Sequence, residues 1–282
     1  MRTKEERRNL LLALLIAAAA VLLFRLSGIF TSYLATFVIA LRAGNPETVE
    51  ALFYEHYQLI VLVRSVLAFA FLVILAVLIG KPKETLGLRK IRPRSIPVVL
   101  LAGITLSFAV SAALTLIPIP EEIVEDYIET METLTGGQPL LMGLNLVVLA
   151  PLTEEFAFRA LAFRALRRAM PFWPASLLSA LAFGITHTTV PQMIYAFVLG
   201  ILFSAIDEKA DSALPGFICH LGFNLLSFCF TLLTPAFELW QIVTWGALAA
   251  AVSAAAFILL FSSRSPLLSP KNTSEVSNDA SL

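Results

Sequence analysis

Charge is what this chain has least of. Only 14% of its 282 residues are Asp, Glu, Lys or Arg, and 20 basic side chains face 20 acidic ones. That balance gives no case for a nucleic-acid partner. Cysteine is nearly absent. Cys219 and Cys229 stand ten residues apart in one apolar run, on different sides of any helix, which gives no basis for a disulfide framework. No polar stretch is long enough to fold as a separate soluble domain, and no repeat of 20 to 50 residues indicates a solenoid. An inverted repeat is missing too, which counts against a repeat-built transporter. Neither Gly-x-Ser-x-Gly nor His-Glu-x-x-His occurs, so a serine nucleophile elbow and the common zinc-protease helix are both lacking.

Apolar sequence is abundant. Hydrophobic residues make up 58% of the chain, and the mean hydropathy is +0.84. These values indicate an all-α integral membrane protein, since only helices and closed barrels satisfy every backbone polar group in lipid. The expected arrangement is about eight transmembrane helices in a single membrane domain over residues 1–262, with its core at about 140–233. Residues 263–282, rich in Ser, Asn and Pro, are expected to form a disordered cytoplasmic tail. Apolar runs begin near residues 9, 58, 96, 140, 173, 192, 214 and 240. The first, 9–26, reaches Arg25 without a clear cleavage site, so it reads as an uncleaved span rather than a signal peptide. Residues 30–41 are too short to cross alone and either lie at the interface or extend that first helix.

Residues 81–94 hold six basic side chains and one acid, whereas 118–139 hold six acids and no base. The first loop is therefore expected in the cytoplasm and the second on the opposite side. Alternating the spans puts both termini in the cytoplasm. The acidic loop reads as a solvated amphipathic helix.

Three clusters of polar residues interrupt the apolar core: Glu154 and Glu155 with Arg159, Phe183 with His187, and His220 with Asn224. An ionisable side chain at the centre of a membrane helix costs roughly 2.5 to 3.5 kcal/mol, so such residues face the bundle interior and mark function. Glu155 and Arg159 are four apart with the acid first, the favourable order for a helical ion pair. Glu154, rotated by about 100°, is left for another task, and desolvation is expected to favour acid–base work there. At 1.5 Å per residue from the cytoplasmic ends, Glu154 lies about 13 Å deep, His220 about 9 Å and His187 about 20 Å. The first two agree. His187 fits only if its helix starts late, tilts or kinks.

Glu-Glu-x-x-x-Arg, Phe-x-x-x-His and His-x-x-x-Asn, in this order on separate spans, resemble the motifs of the CAAX protease and bacteriocin-processing family of intramembrane proteases. The resemblance covers about residues 81–233, with Ala160 standing where the family often has glycine. It implies an eight-helix membrane hydrolase whose site opens toward the cytoplasmic side of the cell membrane. By resemblance, Glu154 is the general base that activates water with help from His187. His220 and Asn224 stabilise the oxyanion, and Glu155, Arg159 and Phe183 form the surrounding shell. The substrate implied is a membrane-associated peptide or protein. Metal-free hydrolysis is the preferred reading, with zinc on Glu154, His187 and His220 as the alternative. A non-catalytic scaffold or immunity factor of the same fold, or a proton-coupled transporter with a Glu–His relay, are the readings from other classes.

Overall fold

A computed structural model of the chain describes residues 3–43, 45–80, 86–233 and 236–262. The expected tail at 263–282 lies outside them. Among the described residues the elements are helices: α1 Lys4–Ala40, α2 Pro46–Glu55, α3 Tyr57–Ile79, α4 Ser95–Leu116, α5 Glu121–Thr135, α6 Pro139–Ala169, α7 Phe172–Gly184, α8 Val190–Ala210, α9 Leu214–Leu233 and α10 Leu239–Phe261. Seven of them, α1, α3, α4, α6, α8, α9 and α10, are long and apolar enough to cross a bilayer. The chain is an all-α multi-pass membrane protein. The remaining expected span, α7, is apolar but only 13 residues long, about 20 Å at 1.5 Å per residue. Residues 27–40 extend the first helix, which runs unbroken from Lys4 to Ala40.

Leu11, Leu15, Phe30, Val77 and Leu78 point outward. On a soluble protein such a surface would drive association; around these helices it faces lipid. Hydrophobic burial therefore contributes little to packing the helices on one another, and close backbone approach must do more. At the α4–α9 seam a Cβ on Gly103 would collide with the Cys219 carbonyl, and one on Gly222 would lie 2.5 Å from that of Leu100. Ser107 and Ser227 hydroxyls meet across the same seam at 3.2 Å. Gly222→Val should force the two helices apart at a cost of about 1 to 3 kcal/mol. The expected result is a lower unfolding temperature in detergent; an unchanged one would mean the seam yields freely.

The acidic helix α5 turns all six carboxylates, from Glu121 to Glu132, to the outside. Gln58 of α3 anchors its end by donating to the Leu134 and Gly136 carbonyls at 3.0 and 2.6 Å.

Helix α6 is irregular where it matters. It contains two π-helical segments, Leu144–Leu149 and Phe156–Phe163, flanking the glutamate pair. In the first, the Ala150 N–H bonds to the Asn145 carbonyl five residues back. Pro151 has no N–H to continue that pattern, so the Leu146 carbonyl loses its helical donor. Single π turns inside α-helices recur at functional sites. Neighbouring helices hold the segment: Ser65 donates to Asn145 Oδ1 at 2.8 Å, and Ser179 donates to the Phe158 carbonyl at 2.7 Å.

Candidate active site

Glu154 and Glu155 sit in the short α-helical stretch between the two π segments, so consecutive residues present carboxylates in different directions. Glu155 is fully enclosed. Its Oε2 lies 3.2 Å from Arg159 Nε, close enough for an ion pair although not aligned as a hydrogen bond. Arg159 is 1% exposed and its terminal nitrogens have no hydrogen-bond partner. Two rings face it instead: its guanidinium lies 4.2 Å from the Phe183 centroid and 5.3 Å from that of Phe203. Stacking on aromatic faces suits arginine, which is more weakly hydrated than an ammonium.

His220 of α9 meets both glutamates. Its Nδ1 lies 2.8 Å from Glu155 Oε1, and its Nε2 lies 3.6 Å from Glu154 Oε2. The first is a hydrogen bond in which the ring N–H donates; the second is beyond hydrogen-bond length. Phe203 stacks on the imidazole with centroids 5.1 Å apart, and the Phe183 edge approaches at 5.9 Å. The ring is thereby held in one plane, with its Nε2 directed at the less buried glutamate.

His187 is not on the helix with Phe183. Helix α7 ends at Gly184, and the next residues form tight turns in which Thr186 N–H reaches the Phe183 carbonyl and His187 N–H reaches that of Gly184. Those turns fold the imidazole back, so its Nδ1 lies 3.1 Å from the Phe183 carbonyl and its ring sits 5.0 Å from the phenyl. A carbonyl can only accept, so Nδ1 carries the hydrogen and Nε2 is left as an acceptor. The backbone thus leaves the straight helix before His187, as the depth mismatch required of it. The ring is near enough to feel the charges of Glu154 and His220. Arg25 of α1 braces the turn from outside by donating to the Thr186 carbonyl at 2.8 Å.

Asn224, one turn beyond His220, donates Nδ2–H to the Leu146 carbonyl at 2.9 Å. That is the carbonyl which Pro151 leaves without a helical donor. Asn224 thus ties α9 to α6 and keeps one further amide hydrogen for another acceptor.

The structure gathers Glu154, Glu155, Arg159, Phe183, His187 and His220 into one cluster, with Asn224 at its edge. The sequence reading missed Phe203, the Leu146 carbonyl and Asp207 of α8, which is 1% exposed. For Asp207 a signal existed: a carboxylate at the end of an apolar span. Among the described residues, no group of three His, Cys, Asp or Glu side chains is arranged to hold a metal ion. Nδ1 of His220 is taken by Glu155 while its Nε2 stays open toward Glu154, an orientation that suits either a hydrogen-bond donor or a metal ligand. Cys219 is buried and Cys229 partly so, both as free thiols.

Fold and site together define a multi-pass membrane protein with a glutamate–histidine centre enclosed by its helices. Residues 136–226, which contain all three motifs, match the family model described as type II CAAX prenyl endopeptidase Rce1-like. The match covers about a third of the chain and likens that segment to a family of endopeptidases. No curated protein and no solved structure matches the chain.

Proposed function

We propose that the protein is an intramembrane endopeptidase that hydrolyses a peptide bond of a membrane-associated peptide or protein, using water activated by Glu154. One imidazole held between two carboxylates supports this reading best. The Glu155 carboxylate accepts from Nδ1–H of His220 and stabilises the imidazolium form, as a buried carboxylate does in other acid–base centres. Nε2 is then an N–H donor that points to the same space as Glu154.

In the reaction, the Glu154 carboxylate takes one proton from water while the His187 Nε2 lone pair accepts the other O–H and orients it. The water oxygen bonds to the scissile carbonyl carbon. The oxyanion receives the His220 Nε2–H and the remaining Asn224 amide hydrogen, donors of the kind that stabilise a tetrahedral intermediate. Glu154 then passes its proton to the departing nitrogen, the C–N bond breaks, and an amine leaves with a carboxylic acid, which keeps the second water hydrogen until it gives it up to solvent. Arg159 stays behind Glu155 as its ion-pair partner. No step requires a metal. The site serves a substrate reaching it from the cytoplasmic side of the cell membrane.

Purified protein in detergent, with a mixed peptide library and mass-spectrometric readout, tests this. Internal cleavage is expected without any proton gradient and is expected to survive a chelator. Cleavage lost on chelation and restored by zinc would contradict the metal-free step. Solute movement coupled to a proton gradient, with no cleavage, would contradict the protease reading itself.

A further inference from the structure

Asp207 lies near the end of α8, 1% exposed at the floor of a cleft that Arg164, Arg167 and Arg168 also line, and has no part in the chemistry just described. Its Oδ1 accepts the N–H of Gly216 at 2.7 Å, while its Oδ2 has no hydrogen-bond partner. Gly216 is in the first turn of α9, where backbone N–H groups have no partner inside the helix. A carboxylate there satisfies one of them and lies at the positive end of the helix dipole. The fit depends on glycine: a Cβ at 216 would come within 2.8 Å of the Asp207 carboxylate oxygens. One turn further along α9 is His220. One turn back along α8 is Phe203, the ring that stacks on His220 at 5.1 Å.

Two rungs therefore join α8 to the first turns of α9, Asp207 to Gly216 and Phe203 to His220. The first fixes the start of the helix that carries the imidazole of the second. The connector is tied down too, with the Ala213 N–H on the Gly87 carbonyl and the Ser212 hydroxyl on that of Arg89. Charged groups surround it, with Arg89, Arg164, Arg167, Arg168, Glu208 and Asp211 lining the same cleft, but the hydrogen bond that its carboxylate accepts comes from Gly216.

We infer that Asp207 is a positioning residue: by capping α9 at Gly216 it sets the register at which His220 meets Glu155 and Glu154. Its effect on turnover rests on the protease reading; its effect on His220 does not. Two readouts separate these. The first is the imidazole NMR spectrum of the ¹⁵N-labelled protein, which has only three histidines, His56, His187 and His220. Asp207→Ala should move the His220 Nδ1–H resonance and leave that of His56 in place. Asp207→Asn, whose amide oxygen still accepts from Gly216, should restore it. The second readout is peptide turnover, where Asp207→Ala should lower kcat by about 10-fold with KM unchanged, as a small misplacement of a reacting group does, and Asp207→Asn should recover most of it.

Gly216→Ala, which pushes the carboxylate away from the other side, should reproduce the alanine result and decides the matter if Asp207→Ala does not fold. An unmoved His220 resonance in the alanine variants would overturn the inference, even where the melting temperature falls. So would an asparagine variant as impaired as the alanine one, because charge rather than the hydrogen bond would then be what counts. If the wild type cleaves nothing, the protease reading fails while the NMR comparison still decides the role of Asp207.

Discussion

Glu154→Gln is expected to lower peptide turnover by about 1,000-fold, within the range that a positioned general base contributes, while leaving the fold intact. Glutamine has the size of glutamate and can still accept a hydrogen bond, but it cannot take a proton from water. The side chain is 17% exposed and makes no ion pair shorter than the 3.6 Å approach to His220, so little native stability depends on its charge. Glu155→Gln should behave differently. It removes a carboxylate that touches both His220 and Arg159, so loss of activity should come with loss of stability. Melting curves beside turnover for the two variants separate the roles. Equal stability losses in both would mean that the neighbouring glutamates are one structural pair.

Arg159→Leu is expected to destabilise the protein by about 3 to 5 kcal/mol, the cost of breaking a buried ion pair by removing one partner. The guanidinium lies against Phe183 and Phe203 and faces Glu155. Leucine fills part of the space but leaves Glu155 with His220 as its one remaining donor. Replacing both members of a buried pair by neutral residues is often far less costly than breaking it. Glu155→Gln with Arg159→Leu should therefore recover much of the stability lost in Arg159→Leu alone, with no recovery of turnover. Denaturant unfolding in detergent gives the stability comparison. A double variant no more stable than the single one would show that the pair is not the reason for the arginine.

The fold was largely legible in the sequence because membrane spans are written in long apolar runs. Helix limits such as Tyr57–Ile79 and Leu239–Phe261 fall within a residue or two of those runs. The brevity of α7 was harder to see, since apolar sequence continues past Gly184 while the backbone already turns. Glu155 with Arg159 was readable from i,i+4 spacing. His187 was not correctly placed, because helical spacing to Phe183 also suits a turn that folds the ring back onto that residue. The π segments have no compositional signature. Pro151 was the local clue, since a proline inside a span must orphan a carbonyl, and Asn224 is the side chain that answers it. Phe203 and Asp207 act across helices, and periodicity along one helix contains no information about what stands opposite.

The most direct test of a single hydrolytic centre is a double-mutant cycle on turnover, with wild type, Glu154→Gln, His220→Ala and the double variant measured on one peptide. Groups that act as a unit in the same transition state lose their effect together, so their deletions are strongly non-additive. The double variant is expected to be about as slow as Glu154→Gln alone. A double variant slower by the product of the two single effects, or a Glu154→Gln protein that still cleaves at the wild-type rate, would contradict the account.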